Sequence, residues 1–307
     1  MIHKVFLIIL MLIIDLSAIN IGVIHVKDTN LTISMTNDIS NLLEKYKIKL
    51  SIKKDKNSLN NVSKLINNNN NDYFAVVNKD AISYYNANFR NSQNRSIYNK
   101  IPSILSLGTE QIHIFTNINN EYDFDLKKDF NVYCGEENSD SCISAKNIEK
   151  VYGFKFKYKR SNIKEISTDL QKAKIDLFIS VKKAPYLPFE ELTQIKLIDL
   201  PTNFNMERIY INSQLKSDEY SFMDDNMHIY SVNQVMITNL TQKQYKSLIK
   251  NIIKVIVLNQ NYLIKKNPKI WKDIDFTYFR YKKFLKIAKI TILKIDNQIR
   301  YENALKF

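Results

Sequence analysis

Residues 134–145 read Cys134-Gly135-Glu136-Glu137-Asn138-Ser139-Asp140-Ser141-Cys142-Ile143-Ser144-Ala145. The apolar run Phe130-Asn131-Val132-Tyr133 precedes them, and a helical pattern follows as far as Gly153. A strand, a hydroxyl-rich loop and a helix start make a place where backbone N–H groups point at an anion. The only two cysteines of the 307 residues bracket that loop. Two states are open to them: a Cys134–Cys142 disulfide, which export permits but whose short loop limits the stabilisation, or two free thiols. Metal ligation is not expected, because the chain has four histidines and none lies near the pair.

The start of the chain bears on the compartment. Lys4 is followed by the apolar run Val5 to Ile14 and then Asp15-Leu16-Ser17-Ala18. A charged start, about ten apolar residues and small residues after them describe a secretory signal over residues 1–18. The run is short of the roughly 20 residues a membrane span needs. A buried first strand or helix is the alternative. The reading adopted is a mature chain that begins near Ile19 and is exported to the periplasm.

Net charge is +14, and it stays so without residues 1–18, which contain one Lys and one Asp. The lysines are spread evenly and no nucleic-acid-binding spacing occurs, so no nucleic-acid partner is expected. The charge favours solubility and nearby anions. Hydrophobic content of 45%, with 16 Phe and 18 Tyr, suffices for packed cores in one large or two medium domains.

With 4 glycines and 5 prolines as punctuation, the elements are read from periodicity. Ile48 to Ile52 alternates as a strand, and Leu59 to Ile66 has helical spacing. Tyr73 to Val77 is a continuous apolar run, as in a strand buried on both faces. The pattern repeats with a strand at Phe130–Tyr133, a helix at Ser144–Tyr152 and a strand at Phe154–Tyr158. A helix at Ile166–Ala173 and a buried strand at Ile175–Val181 follow. Two βαβ groups predict two α/β lobes, joined by an extended crossing segment over Ile104–Thr116. Helices are predicted at Gln242–Leu258 and Gln260–Lys266. The basic tail from Tyr278 to Phe307 carries an amphipathic stripe of Phe284, Leu285, Ile287, Ile290 and Leu293. That stripe suits a helix packed on a lobe or one lying on a membrane surface.

A resemblance now becomes visible. Asn57-Ser58-Leu59-Asn60-Asn61-Val62, followed by Asp72-Tyr73-Phe74-Ala75-Val76-Val77-Asn78-Lys79-Asp80, resembles a motif of the TAXI group of TRAP-transporter solute-binding proteins. That motif reads glycine-Ser-x-x-Asn, then a buried strand ending in Asp; Ser58, Asn61 and Asp80 match, and Asn57 stands for the glycine. The loop from Gly135 to Ala145 aligns without gaps to Gly-x-x-Gly-Ser-Gly-Thr-x-x-Thr-Ala. Gly135, Ser139 and Ala145 match, Ser141 and Ser144 replace threonines, and Asn138 and Asp140 replace glycines. A third match runs from Asp176 and Phe178 to Pro185-Tyr186-Leu187-Pro188-Phe189-Glu190-Glu191-Leu192, with Lys183 for a family glycine. The likeness covers roughly residues 45 to 265. It departs at residues 24–36, where the family's first ligand loop is rich in Gly and Thr and ends in tyrosines. Here Ile24 to Thr36 holds neither Gly nor Tyr, and the C-terminal tail lacks the family's His and Gly-Ala pattern.

The resemblance implies a type II periplasmic-binding-protein fold, α/β and two-lobed, each lobe a mostly parallel sheet flanked by helices with the ligand cleft between them. Residues 19–113 and 228–307 would form the first lobe and 114–227 the second. It implies capture of a small carboxylate or amino acid for a TRAP-type permease, with no cofactor. An exported module of the same fold feeding a membrane sensor kinase, its ligand specificity altered or lost, is the alternative. Ser58, Asn61, Asp80, Gly135, Ser139, Ser141 and Ser144 are the candidate ligand-binding residues, since helix-start amides and hydroxyls donate to a carboxylate. Asp140 and Glu136 add negative charge there, either to accept from an amino group or to face solvent. Ser58 and Ser141 can equally serve as helix caps. No enzyme is expected. No Ser-His-Asp order, metal-binding His spacing, phosphate-binding glycine loop or dinucleotide fingerprint occurs, and His25, His113 and His228 are scattered.

Overall fold

A computed structural model describes residues 19–67, 72–89, 100–122, 124, 129–160, 163–190, 194–277 and 285–304. The expected signal segment 1–18 and the start of the tail at 278–284 lie outside the described residues.

One ten-stranded mixed sheet runs through the molecule in the order β2-β1-β3-β10-β4-β7-β5-β6. Its first half holds β1 (Ile19–Lys27), β2 (Ile48–Asp55) and β3 (Asp72–Asn78), all parallel. The second half holds β5 (Asp129–Tyr133), β6 (Lys155–Tyr158) and β7 (Leu177–Lys182), also parallel to one another. Two long antiparallel strands, β4 (Ser103–Asn117) and β10 (Met227–Thr238), lie side by side at the centre and belong to both halves. The short strands β8 (Ile195–Leu197) and β9 (Ile211–Leu215) extend them in the second half. The expected lobe limits, 113/114 and 227/228, fall inside β4 and at the first residue of β10. Register between β4 and β10 shifts at Asn233/Val235, across from Gly108, whose φ is +95°.

Helices cover both faces, which is why the strands read as apolar runs. In β3, Phe74 and Val76 join one core while Ala75 and Val77 join the opposite one, the period-2 alternation of a pleated strand. The larger core packs that first face under α1 (Asn30–Glu44), α6 (Lys246–Leu258), α7 (Gln260–Lys266) and α8 (Lys286–Ala304). The other face is covered by α2 (Ser58–Asn67) and α3 (Lys79–Asn88). In the second half α4 (Asp140–Tyr152) lies on one face and α5 (Ile163–Gln171) on the other.

Three differences from the sequence reading concern function. Residues 24–36, expected as a loop, are the end of β1, a two-residue junction at Asp28-Thr29 and the start of α1, which Thr29 caps. The helix expected from Ser144 begins at Asp140, because Ser139 is its N-cap. In α8 the buried residues are Ala288, Thr291, Ile292 and Ile295, whereas Ile290 and Leu293 of the expected stripe are exposed. The small Ala288, fully buried, lies on the inward face.

Candidate functional site

Lys27, Asn78, Tyr133 and Lys182 are the last residues of β1, β3, β5 and β7. Carboxyl ends of parallel strands are where open α/β sheets bind ligands. In this chain the ends from the two halves converge, and α2 and α4 start beside them.

Local sequence shapes both helix starts. Asn57 Oδ1 accepts from Asn60 N at 2.9 Å, capping α2. Ser139 Oγ accepts from Cys142 N at 3.2 Å and donates to Cys134 O at 3.1 Å, folding the loop under α4. Gly135 turns with φ +91°, a conformation glycine adopts without a Cβ penalty. Cys134 and Cys142 form a disulfide, so the end of β5 is tied to the first turn of α4.

The helix α4 is buried on two faces. Cys142, Ala145 and Ile148 enter the core of their own half, and Ser141 Oγ accepts from Val181 N at 2.9 Å, fixing the helix start to β7. Asp140, Ile143, Ser144 and Asn147, spaced i, i+3, i+4 and i+7, share another face. Asp140, Ile143 and Ser144 on it meet the first half. Asp140 Oδ1 accepts from Ser58 N at 3.1 Å, and its Oδ2 lies 3.3 Å from Lys27 Nζ. Lys27 also pairs with Glu110, whose Oε2 accepts from Asn78 Nδ2 at 3.0 Å. Ser144 Oγ donates to Asp80 Oδ2 at 2.7 Å, and the Tyr210 hydroxyl donates to the same oxygen at 3.0 Å. Asn147 Nδ2 in turn donates to the Tyr210 oxygen at 2.8 Å. Leu59, Ala81 and Ile143 pack together as a buried apolar contact beside these groups.

Of the remaining expected site residues, Ser58 Oγ accepts from Asn78 N at 2.9 Å, and Asn61 Nδ2 donates to Val76 O at 3.3 Å within the first half. Ser58, Asp80 and Ser144 therefore stand at the junction. Asn61 and Ser141 turn toward their own halves, and Gly135 and Ser139 shape the loop. Glu136 is exposed and lines an open groove of about 600 Å³ at the edge of the junction, with Lys54, Lys56, Asn57, Lys64 and Ser139 among its walls.

Burial disfavours the Lys27 charge, but Glu110 and Asp140 outweigh it and hold the ammonium above the ordinary lysine value. Asp80 is pushed up to about 7, chiefly by burial; the Ser144 and Tyr210 hydroxyls oppose this and the Asp140 charge adds to it. Burial, then the nearby Asp80, pushes the Tyr210 hydroxyl well above its usual range, so it stays a neutral donor. Lys27, Asn78, Glu110 and Tyr210 are not found by motif reading. The one signal in the sequence was a charged or polar residue closing an apolar strand, as Lys27 and Asn78 do.

The histidines lie elsewhere. The buried His25 ring sits between Asp55 at 2.6 Å and Asp72 at 2.9 Å, bridging β1 to both neighbouring strands. His113 is pushed down to about 4 by burial and stacks on Phe115 within an aromatic core. Among the described residues no group of three or more His, Cys, Asp or Glu is arranged to hold a metal ion.

No protein-family model and no curated protein matches the sequence. Solved structures do match in shape. The CA3427 gene product of Candida albicans, which exhibits the generic periplasmic binding protein structural fold, is 12% identical over 88% of this chain and 79% of its own, with TM-score 0.50. MatC from Rhodopseudomonas palustris with bound malate is 8% identical over 93% of this chain and 98% of its own, with TM-score 0.52. At these identities the likeness establishes the fold: the chain has the periplasmic-binding-protein architecture.

Proposed function

We propose that the protein is an exported, periplasmic solute-binding protein that captures a small organic anion or amino acid between residues 19–113 with 228–307 and residues 114–227. The observation that carries this reading is the convergence of two helix N-termini, those of α2 and α4, with Lys27 at the carboxyl ends of the strands. Helix starts and a buried lysine are matched to a carboxylate. The binding-protein fold supports the reading, and so does the order of the three sequence motifs around Ser58, Ser139 and Phe178. Those motifs favour a TRAP-type permease as the recipient. Ser58, Asp80, Ser144 and the loop from Gly135 to Ser141 would frame the ligand once the halves part. No catalytic role is assigned to any residue.

Thermal-shift screening of the oxidised protein against malate, which the fold relative from R. palustris holds, other dicarboxylates and the amino acids tests the proposal. Stabilisation that saturates with one compound class is expected. A well-folded sample that no compound stabilises would sink the transport reading. A specific observation favours the second reading, a sensor or partner module: where the resembling family has glycines, this loop carries Asn138 and Asp140. A permease gene beside this one supports transport, and a histidine kinase gene supports sensing.

A further inference from the structure

A solute carboxylate held between the two helix starts would accept from an α2 amide and lie against a lysine. Both contacts are already made by the chain itself, since Asp140 bonds Ser58 N at 3.1 Å and lies 3.3 Å from Lys27 Nζ. We infer that Asp140 is a tethered stand-in for the solute's carboxylate. It holds the two halves together without solute, and the site's ligand is a small carboxylate that takes its place. This rests on reading the junction as the solute site.

The first support is burial. A carboxylate in the first turn of a helix gains from the helix dipole while remaining in water, yet Asp140 is only 8% exposed and points across to the other half. The second is charge. Lys182 is close enough to Lys27, Glu110 and Asp140 to feel their charges, and burial with the Lys27 charge lowers its proton affinity. Among the described residues its ammonium forms no ion pair. With Asp140 in place, Lys27 and Lys182 face Glu110 and Asp140, with Asp80 nearby and largely protonated below about pH 7. With Asp140 withdrawn, Glu110 is left as the carboxylate paired with Lys27, and the vacated place suits one carboxylate. The third is Asn78: its Oδ1 is buried in the same cluster and has no donor, so it calls for a hydroxyl or amino group beside the solute's carboxylate, which itself only accepts. The fourth is the Leu59–Ala81–Ile143 contact, which makes the junction a packed interface and not two surfaces touching through a lone ion pair. A charge-assisted bond of this kind shifts a two-state equilibrium about ten- to a hundredfold.

Lys56 and Glu137 are exposed on the first and second halves, Lys56 lining the groove and Glu137 following Glu136 on its opposite wall. Spin labels at Lys56→Cys and Glu137→Cys read the separation, with the native disulfide left oxidised. Wild type without solute is expected to give one short distance. Asp140→Ala should lengthen it by more than about 2 Å, the scale of a domain rearrangement, and acetate or formate should restore it where chloride at equal ionic strength does not. Asp140→Asn keeps an acceptor for Ser58 and loses the charge, so it should open less; it decides the matter if Asp140→Ala fails to fold. An unchanged distance in the variants, opening that no carboxylate reverses, or a wild type already open overturns the inference. If these results hold and the wild-type solute screen still finds no ligand, the transport reading fails while the role of Asp140 stands.

Discussion

Asp80 is the place where the junction meets pH. Its carboxyl is fully buried, accepts from Ser144 and Tyr210, and titrates at about 7 instead of 3.8. The folded chain therefore holds a proton that the unfolded chain releases. Below about pH 4 both states are protonated and nothing is lost. As pH rises from there through 7 the unfolded state ionises first and stability falls, levelling off above the folded value. At about 1.4 kcal/mol per factor of ten in proton affinity, the full loss is on the order of 4 kcal/mol. Asp80→Asn presents a neutral amide whose oxygen can still accept from both hydroxyls, so it should escape the loss. Urea unfolding followed by Trp271, the sole tryptophan and fully buried, gives the comparison at pH 5 and pH 8. The advantage of Asp80→Asn over wild type should widen by about 3 kcal/mol between them. Parallel pH profiles for the two proteins would show that Asp80 ionises normally and refute the reasoning.

Other perturbations have separate readouts. Replacing both cysteines by alanine opens a loop with a sequence separation of 8 and should cost about 2–3 kcal/mol; an equal urea midpoint for oxidised wild type and the variant counts against the bond. Tyr210→Phe removes the hydroxyl between Asp80 and Asn147 and should cost about 1–2 kcal/mol in the same assay at pH 5. Gly153 ends α4 with φ +68°, and an added Cβ there meets nothing within 4 Å. Gly153→Ala should thus show the backbone penalty alone, about 1 kcal/mol, and a loss several times larger would mean that the turn shifts.

Legibility in the sequence followed from how each face is buried. The segments β2, α2 and β3 were readable because Tyr73 to Val77 is apolar on both faces and Leu59, Val62 and Leu65 keep one helical stripe. The strand β10 was not, since Ser231, Asn233 and Gln234 are buried within it among the apolar residues, which breaks the pattern that marks a strand. β1 is hidden in the sequence because it follows directly on the apolar run that reads as a signal. Ser58, Asp80 and Ser144, which the motifs single out, do stand at the junction, whereas Ser141 of the same motif is turned to its own half. Tyr210, 130 residues from Asp80, could not be placed by motif, because its contact is made only by tertiary packing. The same holds for Asp140: the sequence showed an acid in an anion loop, and only the fold shows which amide it meets.

The central pair β4 and β10 has a mechanical consequence. The chain passes between halves twice, along two neighbouring strands bonded to each other, and their ladder is interrupted where Asn233–Val235 lies across from Gly108. Two neighbouring strands bonded to each other tether the halves more firmly than one strand would, and the interrupted ladder is the place where the pair can bend most easily.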